Sequence, residues 1–538
     1  MITLNLNSAM PPVAVAASLQ EAASSVPNAG GARQTVSVAA SAHEGASSIP
    51  ELRKWLVSKG SADSDLLPDL ETLRERQRDL GRNNGIASGY FRTMGDNVVG
   101  TGPRLAMMPD YRALGRDKEW AQEYSKLVES YFRSFAESRE CDVRGQLDFG
   151  LMSRQVFYST LLNGDSVVLP IWNPRSQPMY RWATQLQVIE SDRLSNPDNQ
   201  MDTDELRGGV RINAFGRPLG YYIRSSHPGD RFWNMRYFDK WTYIQAETAW
   251  GRKRVVHTFD PERTGQNRGR PVLTAVMKQF RMLDKYQSTE MQAAVINAVI
   301  AAFLETPLDG TAASELLGTA EGVSNNNKLD AYQSMQQSVA VPLDGSMVMT
   351  LPPGTKMNAW SPNRPSDAFG PFIDAVVRNM SAGLNLPYEL LMKDFSRVNY
   401  SSARAALLEA YRFFATHRYW LKVFWLDEVL RLWMEEAISY GLLGITLEEY
   451  YQNQYAYSKC NWIWPGRGWV DPVKESQASE IRMGIGISTL QTECAEQGRD
   501  WEEVLEQLAV EAARKAELGI VLGDGRSLPQ DAANGGQA

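Results

Sequence analysis

Hydrophobic and polar positions follow two different rules along this chain. Between Leu70 and Asn97, the residues Leu73, Leu80, Ile86, Tyr90, Phe91 and Met94 mark one apolar face among Arg and Glu, the period of an amphipathic helix. Gly100-Thr-Gly-Pro103 breaks that pattern. A second helix is predicted from about Asp117 to Ala136, with Trp120, Tyr124, Leu127, Tyr131 and Phe132 on one side, and a third over roughly Phe149 to Leu162. From Gly164 to Phe259 the period shortens. Ser166–Trp172, Leu186–Glu190, Pro218–Arg224 and Arg254–Phe259 read as short strands separated by turn clusters such as Asn196-Pro-Asp-Asn and Ser226-His-Pro-Gly. The predicted class is α+β, dominated by helices.

Helical character returns at Pro271, a residue suited to a first turn because its missing N–H had no partner there. The pattern lasts to about Leu304, which at 1.5 Å per residue is about 50 Å. Glu305 to Pro365 is punctuated by Gly310, Gly318, Gly322, Asn325-Asn-Asn327 and Pro352-Pro353, with strand-like pieces at 338–342, 347–351 and 356–360. It reads as a compact insertion with a polar tip. Another helix is expected over Asp367–Leu384. After Leu386-Pro387 comes a short polar loop, Lys393 to Asn399, and then a helix capped by Ser401 or Ser402 and running to about Ser439. That helix is roughly 58 Å long. It is apolar on nearly all sides from Phe413 to Met434, which predicts burial all round. Acidic helices follow an aromatic group, Trp462, Trp464 and Trp469, which reads as a structural cluster under a Pro-Gly turn.

Length and charge narrow the class. A chain of 538 residues exceeds one core and implies several domains. The net charge of −7 argues against a strongly basic DNA-gripping protein, and Asp471–Asp524, with twelve acids and five bases, accounts for most of it. Residues 1–50, of which 20 are Ala or Ser, predict a disordered arm, because such a segment buries too little apolar surface to offset its chain entropy. Residues 523–538 predict a flexible tail. Three cysteines, Cys141, Cys460 and Cys494, lie far apart with no metal-site spacing and read as reduced thiols. The best membrane candidate, Tyr419–Met434, is interrupted by Lys422, Asp427, Glu428 and Arg431, so no membrane partner is expected.

Enzyme chemistry is largely missing from the pattern. There is no G-x-x-x-x-G-K-[ST] phosphate loop and no G-x-S-x-G elbow, and the four histidines are scattered. No catalytic residue, cofactor or metal is expected. Glu190 and Asp192 sit at a strand end where catalytic carboxylates often lie, but a turn explains them as well. The polar loop is the exception. Lys393, Ser396, Arg397 and Asn399, flanked by Phe395 and Tyr400, read either as a connector or as a loop that touches phosphates weakly, without sequence readout.

Four blocks carry a family resemblance: Arg74–Gly85 continuing to Asp96–Gly102; Val188–Arg193; Leu384–Leu391 through Asp394-Phe-Ser396 to Asn399–Arg404; and Trp469–Glu475 through Gln497–Glu503. In this order they resemble the portal proteins of lambda-like tailed bacteriophages. The resemblance implies a dodecameric ring at one capsid vertex, in the virion and, during assembly, in the host cytoplasm. Through it genomic double-stranded DNA is packaged and later ejected. It implies a wing (51–267), a first stem helix (268–304), a clip (305–365), a second stem helix (366–384), a tunnel loop (385–400), a long wing helix (401–440) and a wing and crown (441–522), with residues 1–50 open to processing. It also implies that Lys393, Ser396, Arg397 and Asn399 face DNA. The clip tip, with Asp309, Glu321, Asn325, Asn326, Asn327 and Lys328, would dock the terminase large subunit and later head-completion and tail-connector proteins. Capsid and scaffold proteins are further implied partners. Twelve copies would carry roughly −84, which repels a duplex bearing about one phosphate per 1.7 Å of axis. The alternatives are another structural phage protein, such as a tail or baseplate component, and a metal-dependent hydrolase built on Glu190, Asp192 or acids near Asp471.

Overall fold

The computed structural model describes residues 60–173, 182–230, 240–304, 347–350, 369–466, 468 and 471–518, together with Lys54, Trp55, Val57 and Lys59. The chain divides into a unit of residues 1–59 and a unit of residues 60–538. The four described residues of the first unit are in no helix or strand. The expected arm (1–50) and tail (523–538), and nearly all of the expected insertion, including its six tip residues, lie outside the described residues.

The second unit opens with α1 (Ala62–Asn83) and α2 (Gly85–Val98), which share one apolar face but are separate helices. Asn84 is the hinge: its side chain accepts from the amides of Ile86 and Ala87 and caps α2. Then follow β1 (Arg104–Met107), α3 (Lys118–Ala136) and α4 (Phe149–Asn163), the last two capped by Asp117 and Asp148.

The strand region holds two antiparallel sheets. In the first, β2 (Asp165–Trp172) lies between β3 (Thr184–Ile189) and β8 (Val256–Phe259), with Val168 opposite Val188 on one side and Val256 on the other. In the second, β4 (Leu206–Arg207), β5 (Val210–Ile212), β6 (Pro218–Arg224) and β7 (Trp241–Gln245) form a meander. Between the sheets a small core gathers Val167, Ile189, Leu194, Val210, Tyr221 and Ile223.

Further along come α5 (Met277–Val299), β9 (Ile300–Leu304), β10 (Met347–Thr350), α6 (Phe369–Gly383) and α7 (Tyr388–Met392). The expected helix to Leu304 is corrected here. It begins at Met277, after turns over 272–276 and not at Pro271, and ends at Val299, and β9 pairs in parallel with β10. β-branched Val299 and Ile300 tolerate either state, and a distant strand decides between them.

The long helix is one rod. It comprises α8 (Tyr400–Leu421), a π turn (Lys422–Leu426) and α9 (Asp427–Ser439). Its expected cap is also corrected. Asn399, not Ser401 or Ser402, is the N-cap, in extended backbone, and accepts from the Ser402 amide at 2.9 Å. Burial all round holds only over 432–438, with Asp427, Glu428 and Arg431 half-buried before it. Tyr419, Val423 and Phe424 remain exposed on one side of the earlier half, because the elements packed on α8 cover only part of its circumference.

The C-terminal part contains α10 (Leu447–Gln452), α11 (Gln454–Ser458), β11 (Cys460–Ile463), α12 (Pro472–Gly484), α13 (Leu490–Glu496) and α14 (Trp501–Glu517). β11 pairs antiparallel with β1, tying residue 463 back to residue 104.

The main core is aromatic. Trp433 meets Phe132 edge-on at 5.1 Å and Trp182 at 5.3 Å, and Phe149 stacks on Trp425 at 5.8 Å. Trp462 belongs to this core and Trp464 packs on its edge beneath the Arg418 guanidinium, as the structural reading of that cluster expected; Trp469 lies outside the described residues. A buried and a half-buried carboxylate fix the rod to two sheets. Glu436 accepts from the amides of Ala183 and Thr184 at 2.6 and 2.8 Å, and Asp427 accepts from Trp462 Nε1 at 2.9 Å.

Candidate functional site

The polar loop is built from the ends of two helices. α7 stops at Lys393, which adopts a left-handed conformation (φ 55°). Asp394 then folds the chain over itself, accepting from both the Ser396 amide (3.0 Å) and the Ser396 hydroxyl (2.6 Å). Those bonds hold the Asp394 carboxyl below its ordinary range. Arg397 forms an ion pair with Asp374 of α6, and Asp374 also accepts from the Tyr388 hydroxyl. Asn399 caps α8.

Of the four residues singled out in this loop, three therefore have structural partners. Ser396 is held by Asp394, Arg397 by Asp374 and Asn399 by the first turn of α8. Lys393 is exposed and makes no ion pair with another described residue. Sequence reasoning missed Asp374. It lies on another helix with 22 residues between it and Arg397, and nothing in the pattern pairs them. Arg404, one turn into α8, is also exposed, and Lys474 of α12 sits over the Tyr400 ring at 6.0 Å. Arg404 of α8 and Lys474 of α12 thus line one small cavity at the start of the long helix, with Lys474 also paired with Asp471 at 3.0 Å.

Glu190 and Asp192 end up beside His227, brought in by the loop after β6. His227 Nε2 lies 3.0 Å from Glu190 Oε2 and 3.5 Å from Asp192 Oδ2, out of good hydrogen-bond alignment with either. Two carboxylates and an imidazole at this spacing could hold a divalent ion. Two observations count against it. Nδ1 of His227 accepts from the Gly229 amide at 2.9 Å, so the neutral ring carries its proton on Nε2, toward the carboxylates. A metal on Nε2 would move that proton to Nδ1 and set it against the Gly229 N–H. Moreover, the Asp192 oxygen nearest His227 already takes the Arg78 guanidinium. Ser191–Arg193 form a single helical turn, so the turn reading of this segment describes its backbone.

A buried ionic centre lies one strand away. Asp165, fully enclosed, accepts from Arg268 Nε at 2.6 Å and Arg74 Nη2 at 2.8 Å, with His257 Nε2 at 3.3 Å. Burial alone would raise the Asp165 carboxyl, but Arg268 and Arg74 hold it well below the usual range. Burial pulls Arg74 down to about 10, partly offset by Asp165, so it stays charged at neutral pH. The guanidiniums also donate to the carbonyls of Asn163, Ser191, Leu194 and Gly208. Their hydrogen-bonding capacity is used on the scaffold, leaving little for a substrate.

Two cavities stand out. One of about 690 Å³ is an open apolar cleft between α5 and α6, lined by Met282, Leu283, Tyr286, Phe372 and Val376. The other, about 770 Å³, lies between α3, β1 and α14 and is lined by Lys118, Lys126, Arg133, Glu129, Glu502 and Glu506. Among the described residues, no helix is long and apolar enough to cross a membrane.

A family described as phage portal protein, lambda family, matches residues 49–418. The chain is 32% identical over 480 residues to portal protein B of Escherichia phage lambda, spanning 87% of this chain and 89% of that protein. It is 28% identical over 475 residues to a probable portal protein of Halomonas phage phiHAP-1, spanning 87% and 85%. Among solved structures, a chain in the virion of a native gene transfer agent particle is similar at TM-score 0.38 and 14% identity, covering 78% of this chain and 89% of that one. A chain from the neck of an empty particle of the same kind gives 0.36 and 12%, covering 80% and 93%.

Proposed function

Since the chain belongs to the lambda family of phage portal proteins and is a portal protein of the head-to-tail connector, we propose that its copies form a ring around a shared channel for genomic double-stranded DNA. The ring stands at one capsid vertex of the virion and forms in the host cytoplasm; twelve copies is the number we favour. The observation that carries the reading is the 32% identity to portal protein B, sustained across 87% of this chain.

On this reading residues 51–267 are wing, α5 and α6 are the stem, 305–365 is the clip, 385–400 is the tunnel loop, the α8–α9 rod is the long wing helix, and residues 441–522 complete wing and crown. The exposure of Lys393, Arg397 and Arg404, in the loop and the first turns of α8, supports a weak, sequence-independent grip on phosphates. Packaging force would come from a separate terminase motor, which agrees with the absence of a phosphate loop in the sequence. The terminase large subunit, then head-completion and tail-connector proteins, would dock through Asp309, Glu321, Asn325, Asn326, Asn327 and Lys328. Capsid and scaffold proteins would contact the wing. The protein acts without catalysis of its own. The hydrolase alternative built on Glu190 and Asp192 is disfavoured because Arg78 already takes the Asp192 oxygen it would need, and the Gly229 amide holds His227 Nδ1 as an acceptor, opposing the tautomer that a metal on Nε2 requires.

Electron microscopy of the purified chain tests the proposal. Annular particles with a central hole, twelve-fold in class averages, are expected. A closed globule would overturn it.

A further inference from the structure

Helices α9 and α14 are held in opposite ways. α9 is pinned by buried side chains including Trp433, Met434 and Glu436, whereas no side chain of α14 is buried. Leu505, Leu508 and Val510 of α14 are exposed and only Trp501 and Val504 are half-buried, so apolar packing seats little of the helix beyond its first turn. Charge holds it there. Lys126 of α3 reaches Glu506 at 3.2 Å and Glu502 at 3.4 Å, Arg104 of β1 reaches Glu503 at 3.3 Å, and Arg133 of α3 pairs with the same Glu503. These side chains are one-third to two-thirds exposed. Beneath the contact lies the cavity of about 770 Å³, not a packed seam. The spacing is regular on both sides. Lys118, Lys126 and Arg133 recur at about two-turn intervals along α3, and Glu502, Glu503 and Glu506 crowd the first turns of α14. Exposed ion pairs are individually weak and are screened by salt over a Debye length of about 10 Å at 0.1 M.

We propose that α14 is a releasable latch, seated on α3 and β1 by screened ion pairs more than by packing, so that ionic strength or a competing polyanion lifts it and bares the cationic face of Arg104, Lys126 and Arg133. Release would uncover that face and the cavity behind it without disturbing the aromatic core. The latch is a property of a single subunit and stands apart from the ring reading.

Hydrogen–deuterium exchange on the full chain, at 50 and 500 mM NaCl and matched assembly state, tests this. Amides of 501–517 should exchange about tenfold faster at high salt, while those of α9 do not change. Lys126→Glu with Arg133→Glu should give the fast pattern already at low salt. Adding Arg104→Glu together with Glu502→Lys, Glu503→Lys and Glu506→Lys to that pair, which exchanges the charges of every ion pair in the contact, should restore protection. Thermal unfolding monitored in parallel, with an unchanged main transition, separates release from misfolding. Protection of α14 that ignores both salt and the charge reversals would show that packing, in the subunit or between subunits, holds the helix, and would overturn the latch. Equal fast exchange in both salts would overturn it as well, since no seated state would then exist.

Discussion

Arg268 and Asp165 form a buried ion pair, Nε to Oδ2 at 2.6 Å, with side-chain exposures of 2% and 0%. A close backbone approach makes it possible. Gly164 (φ +88°) closes α4, and a Cβ there would meet the Gly269 carbonyl oxygen at 2.2 Å. Only glycine at both positions lets the segment carrying Arg268 come beside the first residue of β2. Arg74 joins from α1, and the loop Ser191–Leu194 supplies carbonyls. Two of the blocks that carry the family resemblance, 74–85 and 188–193, thus meet at this centre, the first through Arg74 on the Asp165 carboxylate and the second through the Ser191 carbonyl on the Arg268 guanidinium.

Asp165→Asn should leave two buried guanidiniums short of charge compensation and cost about 3–5 kcal/mol. Urea unfolding would measure it. Loss below about 1 kcal/mol would mean that the backbone carbonyls alone satisfy the arginines.

His417 lies between Phe157 and Phe413, and burial pulls it from 6.5 to about 4. The folded state keeps the ring neutral where the unfolded chain would protonate it. Its contribution is therefore complete above pH 6.5 and is lost as pH falls from about 6.5 to about 4, on the order of 3 kcal/mol. His417→Phe should flatten that part of the acid limb of stability against pH. An unchanged limb would show that other groups carry it.

Glu129 behaves in the opposite sense. Burial, then the nearby Asp500 and Glu502, raise it to about 7, against the lowering effects of the Met107 amide and Arg133. Other charges facing the same cavity are Arg112, Lys118, Lys126, Lys459, Asp110, Glu503 and Glu506. The folded state holds a proton that the unfolded chain releases near 4.5. Stability is thus lost as pH rises from about 4.5 to about 7, by about 1–2 kcal/mol after allowance for screening. Glu129→Gln keeps the acceptor for Met107 and should remove this loss. Thermal midpoints at pH 5 and pH 8 give the comparison.

Replacing Lys393 and Arg397 together with Ala should leave ring assembly intact and weaken DNA retention, with the slope of log affinity against log salt smaller by about 1 for each lost phosphate contact per subunit. Because Arg397 also pairs with Asp374, Lys393→Ala alone is the cleaner variant. Normal packaging and retention in the double variant would remove the contact role.

Asn399→Ala should cost about 1 kcal/mol through the lost cap, with Asn399→Ser recovering most of it. If the Ala variant is as stable as the parent but loses DNA, the side chain serves the channel and not the helix.

The sequence by itself determined the local elements. Asp117 and Asp148 precede helices whose apolar periods are long and clear, and β6 falls on Pro218–Arg224 as the alternation predicts. It determined the aromatic core too, because Trp433 and Phe132 lie on the apolar faces of long helices, and it carried the family in blocks of local wording. Tertiary structure decided everything that joins distant residues. The pairing of β1 with β11, the fate of 300–304, the partner of Arg397 and the meeting of Arg74 and Arg268 at Asp165 depend on approaches between segments separated by dozens to hundreds of residues. Periodicity reports which face of an element avoids water. It does not report which charged side chain that face will meet, because one polar residue satisfies the pattern as well as another until the backbone brings its partner within about 3 Å.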